Sequence, residues 1–410
     1  MTLAPEPEEF AAATAAPQLD RALLAAFRQG AAQRDAERIL PYAEVDKLKA
    51  AGFGAWRLPR ARGGQGVSLR HLIGEIITLA AADPNLAHIW RNHQFLLERL
   101  VLPRTDNPVL EQLGRDVAKG ALIGLASTEA QRKQTGGKIG FDTRLEAHGA
   151  GFRLKGRKFY STGSLYADYL QVSASDEKGE TVQLVLPRHR AGIEVIDDWS
   201  GMGQRLTGTG TTLFHDVEIA PEDIIPAQQI HPLLGPLSSS IAQLILTAVI
   251  AGITEAIAQE ATDLLAARKA TYYYAPAPEA QQDPILLQVL GEREADAFAT
   301  RAVVLAAADY IDRASVALQG GLSEQEGEPL VQEALAAAAR AKVVTDRIAH
   351  AAGSALYDVA GASSTLREKN LDRHWRNLRT VSSHNPASYK AFALGNRRLN
   401  NVALPKLGFF

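Results

Sequence analysis

Apolar residues recur at three- and four-residue steps through the first quarter of the chain: Leu23, Leu24 and Phe27, then Leu72, Ile76, Ile77 and Leu79. That spacing places them on one face of a helix, and it predicts helices from about Leu19 to Lys119. Asp83, directly before Pro84, reads as the N-cap of a helix that carries His88 and His93. From Gly120 to Pro226 the period shortens. Gly151 to Tyr160, Tyr169 to Ala174 and Thr181 to Leu186 alternate and are separated by glycine-containing turns, predicting a compact β-domain of about seven half-buried strands. From Ile230 onward the texture is again helical: Leu233 to Lys269, Pro284 to Leu318, Glu324 to Ala352, and a shorter pair between Asn370 and Asn400. The segment from Tyr272 to Pro284, rich in tyrosine and proline, reads as a loop. Helices this long and apolar on more than one face predict an antiparallel four-helix bundle that also buries surface against other subunits. The chain is therefore read as α+β in three parts: an N-terminal helical domain over 1–119, a central β-domain over 120–228 and a C-terminal bundle over 229–410.

Composition narrows the class. With 410 residues, 46% of them hydrophobic, the chain can bury a sizeable core. A net charge of -2 and a pI near 6.6 argue against a nucleic-acid surface, which calls for clustered basic residues. The most apolar stretch, Leu233 to Ala258, is long enough to span a bilayer. Ser238, Ser239, Ser240, Gln243, Thr247, Thr254 and Glu255 interrupt it, which favours a helix buried inside the bundle and no membrane span. Met1 to Asp20 is acidic and rich in Ala and Pro, without the basic-then-apolar order of a secretory signal, so a cytoplasmic location is expected. There is no cysteine, and Met1 and Met202 are the two methionines. Thiolate catalysis and Cys-ligated metals are thereby excluded. The sulfur-poor composition fits expression under sulfur limitation, tolerance of peroxide, or chance in an Ala-rich chain.

The glycines of Gly201-Met-Gly-Gln-Arg-Leu-Thr-Gly208 do not have the GxGxxG spacing, and they lie among strands. Neither a Walker loop nor a GxSxG elbow occurs, so no nicotinamide cofactor is expected on this chain. His88 and His93, five apart, do not share a helical face, and no metal site is expected.

The C-terminal string Asp372-Arg-His-Trp-Arg-Asn-Leu-Arg-Thr380, followed by His384-Asn-Pro386, resembles the group D two-component flavin monooxygenases, in particular the dibenzothiophene monooxygenase-like and sulfone-metabolism branch. So do Phe159-Tyr-Ser-Thr-Gly163, Gly201-Met-Gly-Gln-Arg-Leu-Thr-Gly-Thr-Gly-Thr211 and Asp283-Pro-Ile-Leu-Leu-Gln-Val-Leu-Gly-Glu292. The resemblance runs from about Leu23 to Asn400, with the motifs in order. It implies the acyl-CoA dehydrogenase-like fold. It also implies FMN delivered reduced by a separate NAD(P)H-dependent reductase, O2 as co-substrate, and a homotetramer. The expected reaction passes through a flavin C4a-hydroperoxide that oxygenates a small organosulfur or related heteroatom substrate.

Acyl-CoA dehydrogenases, the parent family, abstract an α-proton with a carboxylate, in most members near the end of the chain. After Asp372 this chain has no Asp or Glu, and the matching region offers His384. Glu255, on the first long bundle helix, keeps an alternative open: an FAD-dependent dehydrogenase with its base there. A non-catalytic flavin-binding homologue is the other alternative. The resemblance assigns catalytic roles to His384, Thr162 and His93. An imidazole donates or accepts at neutral pH, but the same residues also read as a helix end, a polar turn and a core histidine. Flavin contacts are implied for Ser127, Thr128, Ser161, Ser164, Trp199, Thr209 and Thr211, with Met202 beside them. Arg268, Gln288, Arg367 and Arg376 are candidates for the phosphate end; surface ion pairs are the plain alternative for the arginines.

Overall fold

The computed structural model describes residues 16–101, 107–129, 134–135, 138–226, 231–406 and 410; most of the acidic leader lies outside them. Five helices come first: α1 (Arg21–Glu37), α2 (Tyr42–Ala50), α3 (Leu69–Ala82), α4 (Pro84–Leu96) and α5 (Pro108–Ala118). Asp83 caps α4 as expected, its side chain accepting from the Asn85 N–H at 2.9 Å. The same carboxylate pairs with the buried Arg34 at 2.8 Å, tying α1 to the start of α4. A π-helical turn, Leu97–Val101, extends α4.

The strands are β1 (Ile123–Ala126), β2 (Gln134–Thr135), β3 (Lys138–Ile139), β4 (Arg144–His148), β5 (Gly151–Lys158), β6 (Tyr169–Ser175), β7 (Thr181–Pro187), β8 (Ile193–Val195), β9 (Thr212–Ile219) and β10 (Ile224–Ile225). Among the described residues the main sheet has eight strands in the order β10-β7-β6-β4-β5-β9-β8, with β1 parallel to β6. β6 is covered on both faces, being buried from Leu170 to Ser175, although its sequence alternates; the polar Gln171, Ser173 and Ser175 are buried too and bond to Gln183, Ser127 and the Phe141 N–H.

The C-terminal part comprises α6 (Leu234–Ala267), α7 (Pro284–Gln319), α8 (Glu324–Ala360), α9 (Asp372–Ser382) and α10 (Ala387–Asn400). The apolar α6 is a core helix, enclosed by α3, α4, α7 and α8. Gly252 lets it approach α3: a Cβ there would lie 2.4 Å from the Ile77 carbonyl oxygen. Asp283 caps α7, and Ser323 with Glu326 forms a capping box on α8. α8 runs on to Ala360, eight residues past the expected end at Ala352, through Gly353, where a Cβ would lie 3.2 Å from Leu378 of α9. Two segments pack on one face of α4, the turn after β5 and the β8–β9 connection, and the α9–α10 turn brings His384 near enough to feel the charge of Arg91 and His88.

Candidate active site

The turn after β5 is held from three sides. The Phe159 N–H donates to the Thr128 carbonyl at 2.8 Å, joining the turn to the end of β1. Ser161 and Gly163 donate to the carbonyls of Gly210 and Thr207 in the β8–β9 connection, at 3.2 and 2.9 Å. From α4, the Asn92 side-chain amide donates to the Thr162 carbonyl at 2.8 Å. Gly163 has φ +83°, and a Cβ there would sit 2.8 Å from the Ile89 carbonyl oxygen, so close packing of the turn on α4 requires glycine. Thr162 Oγ1 then lies 2.9 Å from Thr209 Oγ1, which lies 2.6 Å from Thr207 Oγ1. Thr207 donates to the Gln204 carbonyl at 2.9 Å.

Opposite this hydroxyl chain stands His88. Its Nδ1 is 2.9 Å from Gln204 Oε1, and its Nε2 is buried without a partner among the described residues. Burial first, then the Arg91 guanidinium, push its pKa down to about 4. Arg91, one turn along, donates to the Ala242 carbonyl of α6 at 3.2 Å and to Asn92 Oδ1 at 3.0 Å.

His384 approaches from the α9–α10 turn. The residue is solvent-exposed, although protein atoms crowd the ring on most sides. That enclosure lowers its pKa well below the usual histidine value; Arg91, His88, Lys342 and Lys390 reinforce the effect. Behind it, Lys342 Nζ donates to Asp346 at 2.8 Å and to the Ser382 carbonyl at 3.3 Å, fixing the end of α9.

The expected site residues divide. Thr162, Thr209 and Ser161 lie in one hydrogen-bonded cluster, and His384 lies near enough to His88 and Arg91 to feel their charge. His93 is held elsewhere, which corrects its catalytic assignment: the ring is fully buried, Nε2 bonds to the Gly54 carbonyl at 2.9 Å and Nδ1 accepts from the Ile123 N–H at 3.1 Å. Both nitrogens are spent, one tying α4 to Gly54 in the α2–α3 connection and the other tying it to β1. Thr211 is likewise committed, its hydroxyl donating to Asp198 at 2.7 Å. Arg376 is a strut between α9 and α1, bonded to Asp35 at 2.8 Å, Asp372 at 2.7 Å and the Met202 carbonyl at 3.0 Å. Arg268 donates to the Val359 carbonyl at 2.9 Å at the end of α8, and the exposed Gln288 pairs with Glu292 at 3.1 Å on α7; neither is brought to the cleft by these contacts. Ser127 donates to Ser173 at 2.8 Å. Arg367 lines a cleft of about 720 Å³ together with Met202, Arg205, Ser364 and Thr365. Sequence reasoning missed His88, Arg91, Asn92, Gln204 and Asn377. For the α4 residues the available signal was the run of polar side chains on a helix flanked by apolar ones; Gln204 and Asn377 gave none.

A flavin fits the residues present. Phe159, Tyr160 and Trp199 form an aromatic panel, with ring centroids 4.6 Å apart for the first pair and 6.0 Å for the second. The hydroxyls of Ser161 and Ser164 are buried without partners among the described residues, and buried hydroxyls ordinarily have one.

The buried histidines also set an acid limit. His88 and His93 have folded-state values of about 4, below the unfolded value near 6.5. Between those values the unfolded chain binds protons that the native state refuses, so stability falls as pH drops from about 6.5 toward 4. Urea midpoints measured at pH 7, 6 and 5 are expected to decrease in that order.

Residues 244–389 match the family model for the acyl-CoA dehydrogenase C-terminal domain. The probable FMNH2-dependent monooxygenase SfnC of Pseudomonas putida is 30% identical over 93% of this chain and 94% of its own length. Dibenzothiophene monooxygenase of Rhodococcus qingshengii is 28% identical over 98% of each chain. Among solved structures, methanesulfinate monooxygenase MsuC of Pseudomonas fluorescens superposes with a TM-score of 0.84 at 29% identity, covering 94% of this chain and 97% of its own. FMN-bound TdsC of Paenibacillus gives 0.82 at 25% identity, with 95% and 98% covered.

Proposed function

The chain belongs to the FMNH2-dependent monooxygenase family built on the acyl-CoA dehydrogenase fold, and from that premise we propose that it oxygenates a small organosulfur compound or related heteroatom substrate with O2 and reduced FMN. A separate NAD(P)H-dependent reductase supplies the FMN. The observation that carries the reading is the occupant of the cleft. Neutral imidazoles, His384 and His88, stand there with threonine hydroxyls, and the charges that bear most on His384 are those of basic groups. Bound reduced FMN, with O2, supplies an electrophilic oxygen. Its transfer to a sulfur or nitrogen lone pair requires no base to deprotonate the substrate, so hydrogen-bonding groups suffice.

In this reading Trp199, Tyr160 and Phe159 hold the flavin ring, Ser161 and Ser164 bond its polar edge, and Arg367 with Arg205 faces the phosphate. Thr162 and His384 orient the reacting groups, while the buried walls of α4 and α6 exclude water. Exposed apolar residues on α7 (Ile285, Phe298, Val316) and α10 (Tyr389, Phe392, Leu399), all at least 63% exposed, support assembly with further copies as a cytoplasmic homotetramer.

The dehydrogenase reading needs a carboxylate over the flavin, and Glu255 is otherwise engaged: it pairs with Arg301 of α7 at 2.8 Å. The test combines the protein, an NAD(P)H-driven flavin reductase, FMN and candidate sulfur compounds in air. Expected is an oxygenated product that requires FMNH2 and O2, with Glu255→Gln retaining within about twofold of the activity, as for a residue outside the chemistry. An enoyl product from an acyl-CoA without a reductase would overturn the proposal.

A further inference from the structure

We infer that Gln204 is a positioning residue, fixing the direction of the hydrogen bonds at both His88 and Thr162 so that each meets the reacting groups as an acceptor. Gln204 sits in the β8–β9 connection at φ +51° and is 1% exposed. A non-glycine residue in the left-handed region costs free energy and persists where its surroundings hold it. Here they do. Its N–H donates to Asn377 Oδ1 of α9 at 2.6 Å, and its carbonyl accepts from Trp199 Nε1 at 2.9 Å and from Thr207 Oγ1 at 2.9 Å. Two residues on, the Leu206 N–H is held by Asn85 Oδ1 of α4 at 3.2 Å.

Each threonine hydroxyl has one proton. A carbonyl oxygen only accepts, so the Thr207 proton points to Gln204. Thr207 must then accept from Thr209, and Thr209 in turn from Thr162. The proton of Thr162 is thereby committed inward, and what Thr162 presents to the cleft is lone-pair density. On the other side, Gln204 Oε1 accepts from Nδ1–H of His88, leaving the buried Nε2 with its lone pair. The positive charge of Arg91, one turn away on the same helix, favours a lone pair over an N–H at that position. One residue therefore sets the polarity of both walls. A flipped amide would donate to Nδ1 and put the proton on Nε2, so the two arrangements predict opposite tautomers.

The catalytic consequence rests on the oxygenase reading; the hydrogen-bond polarity does not. The test is nitrogen-15 NMR of the full-length protein with labelled histidine imidazoles, without flavin or substrate, the His88 signals assigned by their loss in His88→Gln. Expected in the unsubstituted protein is a protonated Nδ1 and an unprotonated Nε2; the reverse overturns the inference without recourse to any variant. In Gln204→Leu the tautomer should become mixed or reverse, and an unchanged tautomer in folded protein counts against it. Gln204→Glu keeps an acceptor but adds a charge, which should raise the His88 pKa from about 4 by roughly 1–3. His88 would then titrate between about pH 5 and 7, against a background of Arg91 on its own helix and His384 across the cleft. A His88 that stays neutral down to pH 5 in that variant contradicts the arrangement. With a reductase present, Gln204→Glu should lose product on the acid side only. A confirmed tautomer with no oxygenated product from any form would refute the oxygenase reading and leave the positioning role intact.

Discussion

Replacing His384 with alanine is expected to lower oxygenated-product formation by about 10²–10⁴-fold, the range for removing a positioned acid–base or hydrogen-bonding side chain, while FMN still binds and consumption of reduced flavin continues as hydrogen peroxide release. The expectation follows from where the ring sits. It lies in the turn between α9 and α10, beside His88 and Arg91, with Lys342, Asp346 and Ser382 anchoring the helix end just before it. The Lys342, Asp346 and Ser382 bonds do not use the imidazole, so the fold of the helix end should survive the substitution, which the melting temperature checks. The enclosed, cation-flanked ring stays neutral well below pH 6.5, so the unsubstituted enzyme should show no activity step near that pH. Product and peroxide, quantified together at several pH values, check both statements. Unchanged product yield from His384→Ala would remove His384 from the chemistry.

Glu129→Ala is expected to destabilise the protein by about 3–5 kcal/mol, the usual effect of removing one partner of a buried ion pair. Lys158, with no exposed surface, donates to Glu129 at 2.6 Å. The carboxylate also accepts from the Asp142 N–H at 2.7 Å, the Thr143 N–H at 3.0 Å and the Thr143 hydroxyl at 2.8 Å. Burial opposes the charge on Glu129, but these bonds outweigh it and hold the carboxyl below its usual pKa. The stabilisation is therefore present above the unfolded carboxyl range and fades as pH falls through the lower folded value. Lys158 ends β5, directly before Phe159 and the turn that presents Thr162, so the variant should also lose coupling between flavin oxidation and product. Denaturant melts check the first effect; the double variant Glu129→Leu with Lys158→Met should recover only part of the stability, since it removes the uncompensated charge but leaves the Asp142 and Thr143 donors without an acceptor.

The history of His88 and His93 shows why the site was only partly legible in the sequence. Both are buried on the same 13-residue helix, and the sequence separates them by five positions, enough to say that they face different ways but not which way either faces. The structure turns His93 toward Gly54 and Ile123, where the backbone consumes it, and His88 toward Gln204 and the cleft. Arg376 likewise lies within the motif that carries the family resemblance, but as a buttress beneath the cleft. Asn377, next to it, reaches Gln204 at 2.6 Å although the two are remote in sequence, and no local pattern announces such a pair.

Local physics settled what the sequence determined by itself: the helix–strand–helix succession, the cap at Asp83, the burial of α6 inside the bundle, and the absence of acidic residues after Asp372. Each depends on periodicity, on single-residue capping chemistry or on composition, all of which act over a few neighbouring positions. Tertiary structure alone decided which imidazole faces the cleft, which arginines are struts, and the bonding that makes Gln204 a hub between α4, α9 and the Thr162 turn. Those outcomes depend on hydrogen bonds between residues up to 341 positions apart, and a directional bond of that kind exists only once packing has brought its two ends together.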